Sequence, residues 1–377
     1  MGNPTTIVNS WNEWDPLKRV ILGRADGGMI ETAEPAIQRD WSALGVPFGS
    51  HRRFSEEMIG KANEQLDYFA RTLESRGVQV DRPDPIDASQ QVSTPDWVQD
   101  TMVGCMPPRD LLMAVGNEIL EATMSLRSRW FEYLNYRPII QRYYRDDPNF
   151  RHEAAPKPRL NEQTYKPKFY EHWETLTSAE KDAAIHAADW ILTETEPCFD
   201  AADCVRFGRD MFVQKSMVTN EMGIRWLRQH FPELRVHRVF YNETQPWHID
   251  TTLVPLRPGL VMINPVRTPL ESRQLELFEK NGWQVIMGPK ALLTKKRPFA
   301  YTSLWLNINV FVIDPKTVCV EASETPVQEL LDRLGFNVLP IPFYDVSPFG
   351  GGLHCSTCDV HREGSLEDYL PMQIEGY

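Results

Sequence analysis

One phrase recurs along this chain: a segment with the apolar spacing of a helix ends at a glycine, and a short apolar strand pattern follows at once. Such a glycine can adopt the left-handed conformation that ends a helix, and the alternation behind it is typical of a strand. The three clear copies run over residues 62–80, 275–287 and 327–342 and turn at Gly77, Gly282 and Gly335. A weaker copy at residues 223–240 has Pro232 in place of the glycine.

Apolar segments that end in polar turns lie ahead of several of these helices. They cover residues 18–23, 110–117, 259–265 and 309–315. A unit of strand, turn, helix and strand therefore recurs four or five times, at a spacing of about 50–80 residues. This repetition predicts an α/β fold, either modules around an axis or a doubly wound sheet. Neither GxGxxG nor GxxxxGKS/T follows a strand, so the motifs of nucleotide binding are missing.

Two regions interrupt the repeat and are expected to frame a mouth or a subunit contact. Residues 124–150 are rich in aromatic side chains and predict helix, whereas residues 151–175 predict a long loop. A further helix is expected from Thr177, because Thr177 and Glu180 have the spacing of a capping box. No Ser- or Gly-rich linker divides the sequence, so residues 1–377 are predicted to form a single domain.

Charge, apolar runs and cysteine content together restrict the partners and the location expected for this protein. The 377 residues include 40 Lys and Arg against 52 Asp and Glu, a formal charge of -12, whereas a protein that binds nucleic acid needs a basic face. No apolar run approaches the ~20 residues of a membrane span, and the first residues lack the pattern of a secretory signal. Six cysteines are too few for a disulfide scaffold in a chain of this length. We therefore expect a cytoplasmic protein with neither nucleic acid nor membrane as a partner.

Potentially reactive side chains are most closely spaced at residues 350–358, where three glycines precede His354, Cys355 and Cys358. Glycines let a backbone approach a ligand closely, and a cysteine after such a loop can be presented as a nucleophile. Three other interpretations stay open: a metal site, a redox pair of the two cysteines, and a tight turn with buried thiols. Structural zinc needs four ligands in paired spacing, and the sequence has no second CxxC or HxxxH pattern.

Carboxylates and a histidine recur near other apolar strands. If residues 247–254 form a strand, His248 and Asp250 share one face, which suits proton transfer beside a cation; an exposed strand face is the alternative. Asp200 and Asp203 lie among apolar neighbours, where burial is costly without a cation or hydrogen-bond donors. Asp110 precedes a strand and could equally cap a turn. A thiol, a histidine and several carboxylates together predict covalent chemistry on a cation such as a guanidinium.

Long stretches of the chain resemble the glycine amidinotransferase family, from near the N-terminus to about Tyr369. The matching stretches are residues 9–23, 108–122, 127–137, 154–158, 196–214, 248–250, 350–364 and 368–371. This resemblance implies the α/β propeller of guanidine-modifying enzymes, with five ββαβ modules around a pseudo-fivefold axis. It also implies an enzyme that needs neither a metal nor an organic cofactor and that forms a homodimer.

The resemblance assigns roles to individual residues, carried over by motif. It implies Cys355 as the nucleophile, His248 as general acid and base, and Asp200 as the carboxylate that orients His248. The residues implied to bind the donor are Asp110 and Asp250 for the guanidinium, and Arg267, Ser303 and Thr302 for the donor carboxylate. L-Arginine would then pass its amidino group to Cys355, release ornithine, and supply an acceptor amine in a ping-pong reaction.

The acceptor is expected to differ from glycine. Gln245, Trp247 and Ser356 depart from the residues that the glycine-using animal members carry around the site, and no mitochondrial transit segment is visible. Length and N-terminal sequence are most similar to the saxitoxin-pathway members, which implies an arginine-derived ethyl ketone as the acceptor. Transfer to glycine and arginine deiminase-like hydrolysis remain the alternatives, with a zinc or interaction module as a third.

Overall fold

The computed structural model describes residues 6–30, 34–37, 52–292 and 303–375. The strands are β1 (Leu17–Leu22), β2 (Met29–Ile30), β3 (Arg52–Arg53), β4 (Gln79–Asp81), β5 (Val92–Ser93), β6 (Val98–Gln99), β7 (Leu112–Val115), β8 (Glu118–Glu121), β9 (Arg151–Ala154), β10 (Cys204–Phe207), β11 (Asp210–Gln214), β12 (Arg235–Val239), β13 (Leu253–Arg257), β14 (Leu260–Ile263), β15 (Gln284–Met287), β16 (Phe311–Asp314), β17 (Thr317–Glu321), β18 (Asn337–Ile341) and β19 (Thr357–Arg362). The α-helices are α1 (Glu56–Glu74), α2 (Pro108–Leu111), α3 (Arg137–Asp146), α4 (Phe169–Thr175), α5 (Ser178–Ala187), α6 (Glu221–His230), α7 (Ser272–Lys280) and α8 (Thr325–Arg333). Short 3-10 turns occupy Arg127–Arg129, Glu132–Asn135, Ala201–Asp203, Ile249–Thr251, Leu304–Ile308 and Ser347–Phe349.

Five three-stranded sheets share one topology, in which the middle strand pairs antiparallel with one neighbour and parallel with the other. Their orders are β19-β1-β4, β7-β8-β9, β10-β11-β12, β13-β14-β15 and β16-β17-β18. In each sheet a helix lies between the middle strand and its parallel partner, which gives five ββαβ modules, numbered here in the order of the sheets. The first module is completed from the far end of the chain, since β19 pairs with β1. The fold is the predicted five-bladed α/β propeller.

The recurring phrase of the sequence marks three of these modules. Gly77, Gly282 and Gly335 have φ angles of +82°, +70° and +82°, and each lies between the helix and the parallel strand of its module. A Cβ at any of the three would meet no atom within 4 Å. The backbone conformation therefore requires glycine there, and packing does not.

The second module was the least visible in the sequence; the helix predicted in it is confirmed in part, and the predicted loop was wrong. Within residues 124–150 the α-helix covers Arg137–Asp146 and follows two 3-10 turns. The predicted loop at 151–175 contains β9 and α4. Three of the four β9 side chains are exposed, and this edge strand therefore lacks the apolar pattern that reveals a strand in a sequence.

The helix predicted from Thr177 is confirmed as α5. The Thr177 side chain accepts a hydrogen bond from the Glu180 backbone N–H, and the Glu180 carboxylate accepts one from the Thr177 N–H, as a capping box requires. Aromatic side chains from α4 and its surroundings form a cluster of their own, which includes Trp97, Tyr165, Phe169 and Trp173. Within the described ranges, no helix combines the length and apolar character needed to traverse a lipid bilayer.

Apolar clusters join the modules into a ring. The first cluster contains residues of the first, second and third modules, a second cluster joins the third, fourth and fifth, and a third cluster joins the fifth to the first. Representatives are Ile21, Met113 and Met211 in the first, Phe207, Val261 and Val318 in the second, and Leu66 and Phe311 in the third. Every module packs on both of its neighbours, so equivalent positions of the five modules meet around the axis.

Candidate active site

Equivalent positions of the five modules supply the polar side chains of the site. Each lies in the short segment that enters the first strand of its module. The residues are Asp110 before β7, Asp200 before β10, Asp250 before β13, Asn309 before β16 and Cys355 before β19. The pseudo-symmetry of the fold therefore brings together residues that are up to 245 positions apart in the sequence.

The glycine-rich segment wraps closely around Cys355. A Cβ on Gly351, whose φ is +158°, would lie 2.3 Å from the Cys355 Cβ and 2.6 Å from its Sγ. A Cβ on Gly352 would lie 2.6 Å from the Asn309 Oδ1. That same oxygen accepts the backbone N–H groups of His354 at 2.9 Å and Cys355 at 3.2 Å. Glycine is thus needed for close approach, and Asn309, which the sequence did not reveal, holds the backbone of the predicted nucleophile.

The Cys355 side chain is buried and protonated in this state. Its Sγ donates to the Asp250 Oδ2 at 3.2 Å. Burial is the largest cause that raises the pKa of this thiol well above its usual value, and Asp250 and Asp110 raise it further. A positive charge placed among these carboxylates would act in the opposite direction and favour the thiolate.

His248 lies in a loop and not in the strand that the sequence suggested. It precedes the 3-10 turn Ile249–Thr251, its φ is +50°, and β13 begins at Leu253. A positive φ in a residue other than glycine is a conformation that the surrounding structure must enforce. The argument that His248 and Asp250 share a strand face was therefore wrong, although both side chains do line one cavity.

Two carboxylates hold the His248 ring. Its Nε2 lies 3.1 Å from the Asp200 Oδ2, and its Nδ1 lies 3.6 Å from the Asp110 Oδ1. Burial opposes the charge on the ring, but Asp110, Asp200 and Asp203 outweigh it and raise the pKa of His248 to about 10. The ring is therefore an imidazolium at neutral pH, ready to donate a proton.

Asp110 is oriented by a buried arginine. The Arg129 Nη1 donates to the Asp110 Oδ2 at 2.6 Å, and Arg129 Nε and Nη2 also bind the Glu132 carboxylate at 2.9–3.0 Å. Burial raises the pKa of Asp110 although His248 and Arg129 oppose it, and burial raises the pKa of Glu132 to about 7. The nearby positive charges are therefore too few to offset the effect of burial on the pKa values of these two carboxyl groups.

The carboxylate pair predicted from residues 196–203 is fully buried, and it does meet donors. Asp203 accepts from the hydroxyls of Ser216 and Thr219 at 2.5 and 2.6 Å. Burial nevertheless raises the pKa of Asp203 to about 7, with His248 opposing the shift. We call Asp110, Arg129, Glu132, Asp200, Asp203 and His248 the acid-rich cluster.

A second group of charged side chains includes Asp250, which accepts the hydrogen bond of Cys355. His354 lies 2.9 Å from Asp250 and 3.4 Å from Glu13, and Glu13 is bound by Arg206 at 2.8 Å. Burial would raise the pKa of Asp250, but His354, His248 and Cys355 hold it down to about 2. We call Glu13, Arg109, Arg206, Asp250, His354 and Asp359 the Asp250 cluster.

Four carboxylate oxygens of the two clusters are buried and receive no hydrogen bond from any described residue. They are the Oδ1 atoms of Asp110, Asp200, Asp203 and Asp250. A buried acceptor without a donor costs about 1–3 kcal/mol, and more when it is charged. The site is thus built to accept N–H groups from a cation that carries several of them.

A cavity of about 270 Å³ opens onto Cys355, His248 and Asp250. Arg267 lies in its wall, where its guanidinium donates to the Ser303 hydroxyl at 2.9 Å and pairs with Glu243 at 2.6 Å. The predicted donor-carboxylate residues Arg267 and Ser303 are therefore neighbours in the cavity wall. Thr302 lies outside the described residues.

Two of the three residues predicted at the acceptor rim line this cavity, and one does not. Gln245 and Trp247 line it together with the apolar side chains Leu304 and Trp305. Ser356 is fully buried, and its hydroxyl donates to the Leu353 carbonyl at 2.9 Å. The expectation that Ser356 contributes to the rim was wrong, because the loop turns its side chain away from the cavity.

The alternative interpretations of the cysteine pair gain no geometric support. Cys355 and Cys358 are both buried free thiols, and burial raises the pKa of Cys358, within β19, to about 12. In the part of the chain that the structure describes, no three His, Cys, Asp or Glu side chains are arranged to hold a metal ion. Cys358 therefore belongs to the core and Cys355 to the cavity.

Comparison with known proteins gives several relatives along the whole chain, although no family model matches it. The chain is 40% identical over 370 residues to a protein named glycine amidinotransferase, mitochondrial, from Gallus gallus, which covers 96% of this chain and 85% of the relative. It is 36% identical over 370 residues to an L-arginine:L-lysine amidinotransferase from Pseudomonas savastanoi pv. phaseolicola, which covers 97% of each. Among solved structures, it is similar to an amidinotransferase from Microseira wollei in the saxitoxin biosynthetic pathway, with a TM-score of 0.87, 35% identity and coverage of 96% of this chain and 99% of the other.

Proposed function

The chain belongs to the glycine amidinotransferase family, and from that premise we propose that it moves the amidino group of L-arginine, through a covalent intermediate on Cys355, to a small-molecule amine other than glycine. The observation that carries the donor half of the proposal is the set of buried carboxylate oxygens near Cys355 that receive no hydrogen bond from the described residues. A guanidinium carries several N–H groups in one plane, and a pair of carboxylates can accept hydrogen bonds from them.

Asp110 and Asp250 hold the donor guanidinium in this proposal. Each has one oxygen already bound to a buried cation and an Oδ1 that receives no hydrogen bond from the described residues. The guanidinium would donate hydrogen bonds to the Oδ1 atoms of both carboxylates, and its central carbon would then face Cys355. Arg267 and Ser303 lie farther along the same cavity, where they suit the α-carboxylate of the donor.

The donor also activates the nucleophile. Without substrate, burial, Asp250 and Asp110 raise the pKa of the Cys355 thiol. A bound guanidinium cancels the charge of the two carboxylates and so removes part of that shift. The thiolate therefore forms in the presence of the group that it attacks, and an empty site keeps an unreactive thiol.

The chemical steps balance around His248. The sulfur of Cys355 bonds to the guanidinium carbon, the bond from that carbon to the ornithine nitrogen breaks, and His248 protonates the departing amine. The thiol proton replaces the one that His248 gave, so the net transfer is from the thiol to ornithine. The acceptor amine then attacks the amidino carbon and the bond from that carbon to sulfur breaks. His248 gives its proton to the departing sulfur of Cys355 and takes the proton of the acceptor amine in its place.

The acceptor is proposed to be an amine without a carboxylate, such as an arginine-derived ethyl ketone of the saxitoxin pathway. Two observations support this choice: the similarity to the Microseira wollei enzyme, and the apolar walls formed by Trp247 and Leu304. Glycine is the second candidate, because the relative from Gallus gallus that is 40% identical carries glycine in its name.

Intact mass after incubation with arginine alone tests the donor half. Wild type should gain about 42 Da, one amidino group on a covalent-intermediate mechanism, and so should the control Cys358→Ala, while Cys355→Ala should gain nothing. Loss of the adduct on adding the ethyl ketone amine, but not on adding glycine or lysine, supports the acceptor. Discharge by glycine in preference to the ketone would overturn it, and citrulline formed without any acceptor would mean hydrolysis.

A further inference from the structure

We propose that His354 is a positioning residue: fixed between Glu13 and Asp250, it keeps the Asp250 carboxylate ionised and aimed at the guanidinium of the donor. This inference rests on the proposed function, because it takes Asp250 to be a ligand of that guanidinium. No motif argument assigned this role to His354, which the sequence offered only as a candidate metal ligand.

Both ring nitrogens of His354 face carboxylates. Its Nδ1 lies 2.9 Å from the Asp250 Oδ2, and its Nε2 lies 3.4 Å from the Glu13 Oε2. Ionised carboxylates only accept hydrogen bonds, so satisfying both requires an N–H on each nitrogen, which is the imidazolium. Burial and Arg109 oppose the charge, but Asp250 and Glu13 outweigh them and raise the pKa of His354.

The carboxylate behind His354 is itself fixed. Glu13 accepts from Arg206 Nε at 2.8 Å and from Arg109 Nη1 at 3.3 Å, and both arginines also bind Asp359. These cations hold the pKa of Glu13 well below its usual value although burial opposes them. Arg109 binds the site backbone as well, since its N–H donates to the Cys355 carbonyl and its Nε to the His354 carbonyl.

The rest of the His354 surroundings is apolar. A cavity of about 20 Å³ lies against His354, Glu13 and Asp250, and its other described lining residues are Val205, Leu253, Val254, Pro255, Val310 and Val312. In such a setting the charge of a neighbour acts strongly, because little solvent screens it. From this cavity, the described group that acts on the charge of Asp250 is therefore His354, whose own charge is influenced by Glu13 and Arg109.

Removing the charge of His354 should leave only His248 and Cys355 to oppose the effect of burial on Asp250. Burial favours the neutral carboxylic acid, so the pKa of Asp250 should rise. A neutral Asp250 binds a guanidinium poorly. The acid limb of the donor reaction should then move to higher pH, an effect that a purely structural role for His354 would not produce.

The test compares His354→Asn with wild type and with His237→Gln. Asn can still donate a hydrogen bond to Asp250 but carries no charge. His237 is a matched control, because it is buried in β12 with its Nε2 2.7 Å from the buried Asp210, outside the site. The rate of adduct formation on Cys355 is followed by intact mass against arginine concentration, from pH 9 down to the lowest pH at which each protein remains folded.

His354→Asn should lower the second-order rate with arginine about 100-fold, as truncation of one partner of a buried charge pair does, mainly through weaker donor binding. Its acid limb should lie at higher pH than that of wild type, whereas His237→Gln should keep both. If His354→Asn does not fold, His354→Gln gives the same readouts. Wild-type binding and an unmoved acid limb in either folded variant would overturn this inference, whereas absence of any adduct in wild type would overturn the proposed function instead.

Discussion

The acid-rich cluster and the Asp250 cluster each hold an aspartate near Cys355 by the same arrangement of contacts. In each, one aspartate oxygen is bound by a buried cation, and a glutamate holds that cation: Asp110 by Arg129 and Glu132, and Asp250 by His354 and Glu13. The two aspartates nevertheless titrate in opposite directions. The pKa of Asp110 is raised, and that of Asp250 is lowered to about 2.

The difference comes from the charges farther out. The acid-rich cluster adds Asp200 and Asp203 to its carboxylates and has Arg129 and His248 as cations, so burial prevails and the pKa values of Glu132 and Asp203 rise to about 7. The Asp250 cluster contains Arg109 and Arg206, which compensate Glu13 and Asp359. A cationic donor would therefore relieve the acid-rich cluster most, while Asp250 is an anion before any ligand arrives.

The largest expected effect follows from breaking the acid-rich cluster. Arg129→Met should leave Asp110 and Glu132 buried beside no arginine, and removal of one partner of a buried pair costs about 3–5 kcal/mol. Urea unfolding at pH 7 measures the loss of free energy of unfolding. Arg142→Met is the control, because Arg142 pairs with Asp81 while 41% exposed, where such a bridge contributes about 0–1 kcal/mol. Equal losses in the two variants would contradict the comparison.

Replacing Asp250 or Asp110 by asparagine should change the free energy of unfolding by different amounts in the two clusters. A carboxyl group whose folded pKa is depressed stabilises the protein above its unfolded pKa, and this contribution disappears as the pH falls through the folded value. Asp250, lowered from 3.8 to about 2, should thus contribute about 2 kcal/mol at pH 7, and Asp250→Asn should lose it. Asp110→Asn should lose none, because the raised pKa of Asp110 means that its charge destabilises the fold at pH 7.

The same two variants should both bind arginine poorly, since each removes a carboxylate that is proposed to bind the guanidinium. Urea unfolding at pH 7 and adduct formation on Cys355 are measured on the same preparations. A destabilised Asp110→Asn together with an unaffected Asp250→Asn would reverse the assignment of the two clusters.

The smallest expected effect is a release of protons when arginine binds. The donor cation should lower the raised pKa values of Asp203 and Glu132, both about 7, and so displace up to about one proton at pH 7. Calorimetry with Cys355→Ser, in buffers of different ionisation enthalpy, measures that number. Asp203→Asn should reduce the number of protons released. Binding heats that do not depend on the buffer would contradict the excess of negative charge assigned to the acid-rich cluster.

The fold could be predicted where its cause is local. The helix, glycine and strand phrase marks the turns at Gly77, Gly282 and Gly335 because each depends on a left-handed backbone that the residue type reveals. The strand β9 could not be recognised, since its exposed side chains carry no apolar alternation. Tertiary pairing with β8, and not the sequence of β9, determines that strand.

The reacting groups of the candidate site could be predicted from the sequence, but the residues that hold those groups in place could not. Motif resemblance suggested Cys355, His248 and Asp110, whose roles stay proposals. It gave no role to Arg129, Glu13 or Asn309, because each acts through a contact formed only in the folded ring. The strand expected around His248 failed for a related reason, since nothing in the sequence signals a φ of +50° at a histidine.

The pairing of β19 with β1 ties the position of Cys355 to closure of the ring of modules. β19 starts at Thr357, two residues after Cys355, and completes the first module by pairing antiparallel with β1. One strand pairing therefore both closes the ring and fixes the segment that carries this thiol. A change that loosens β1 should for that reason disturb the cavity, although β1 lies outside its described lining.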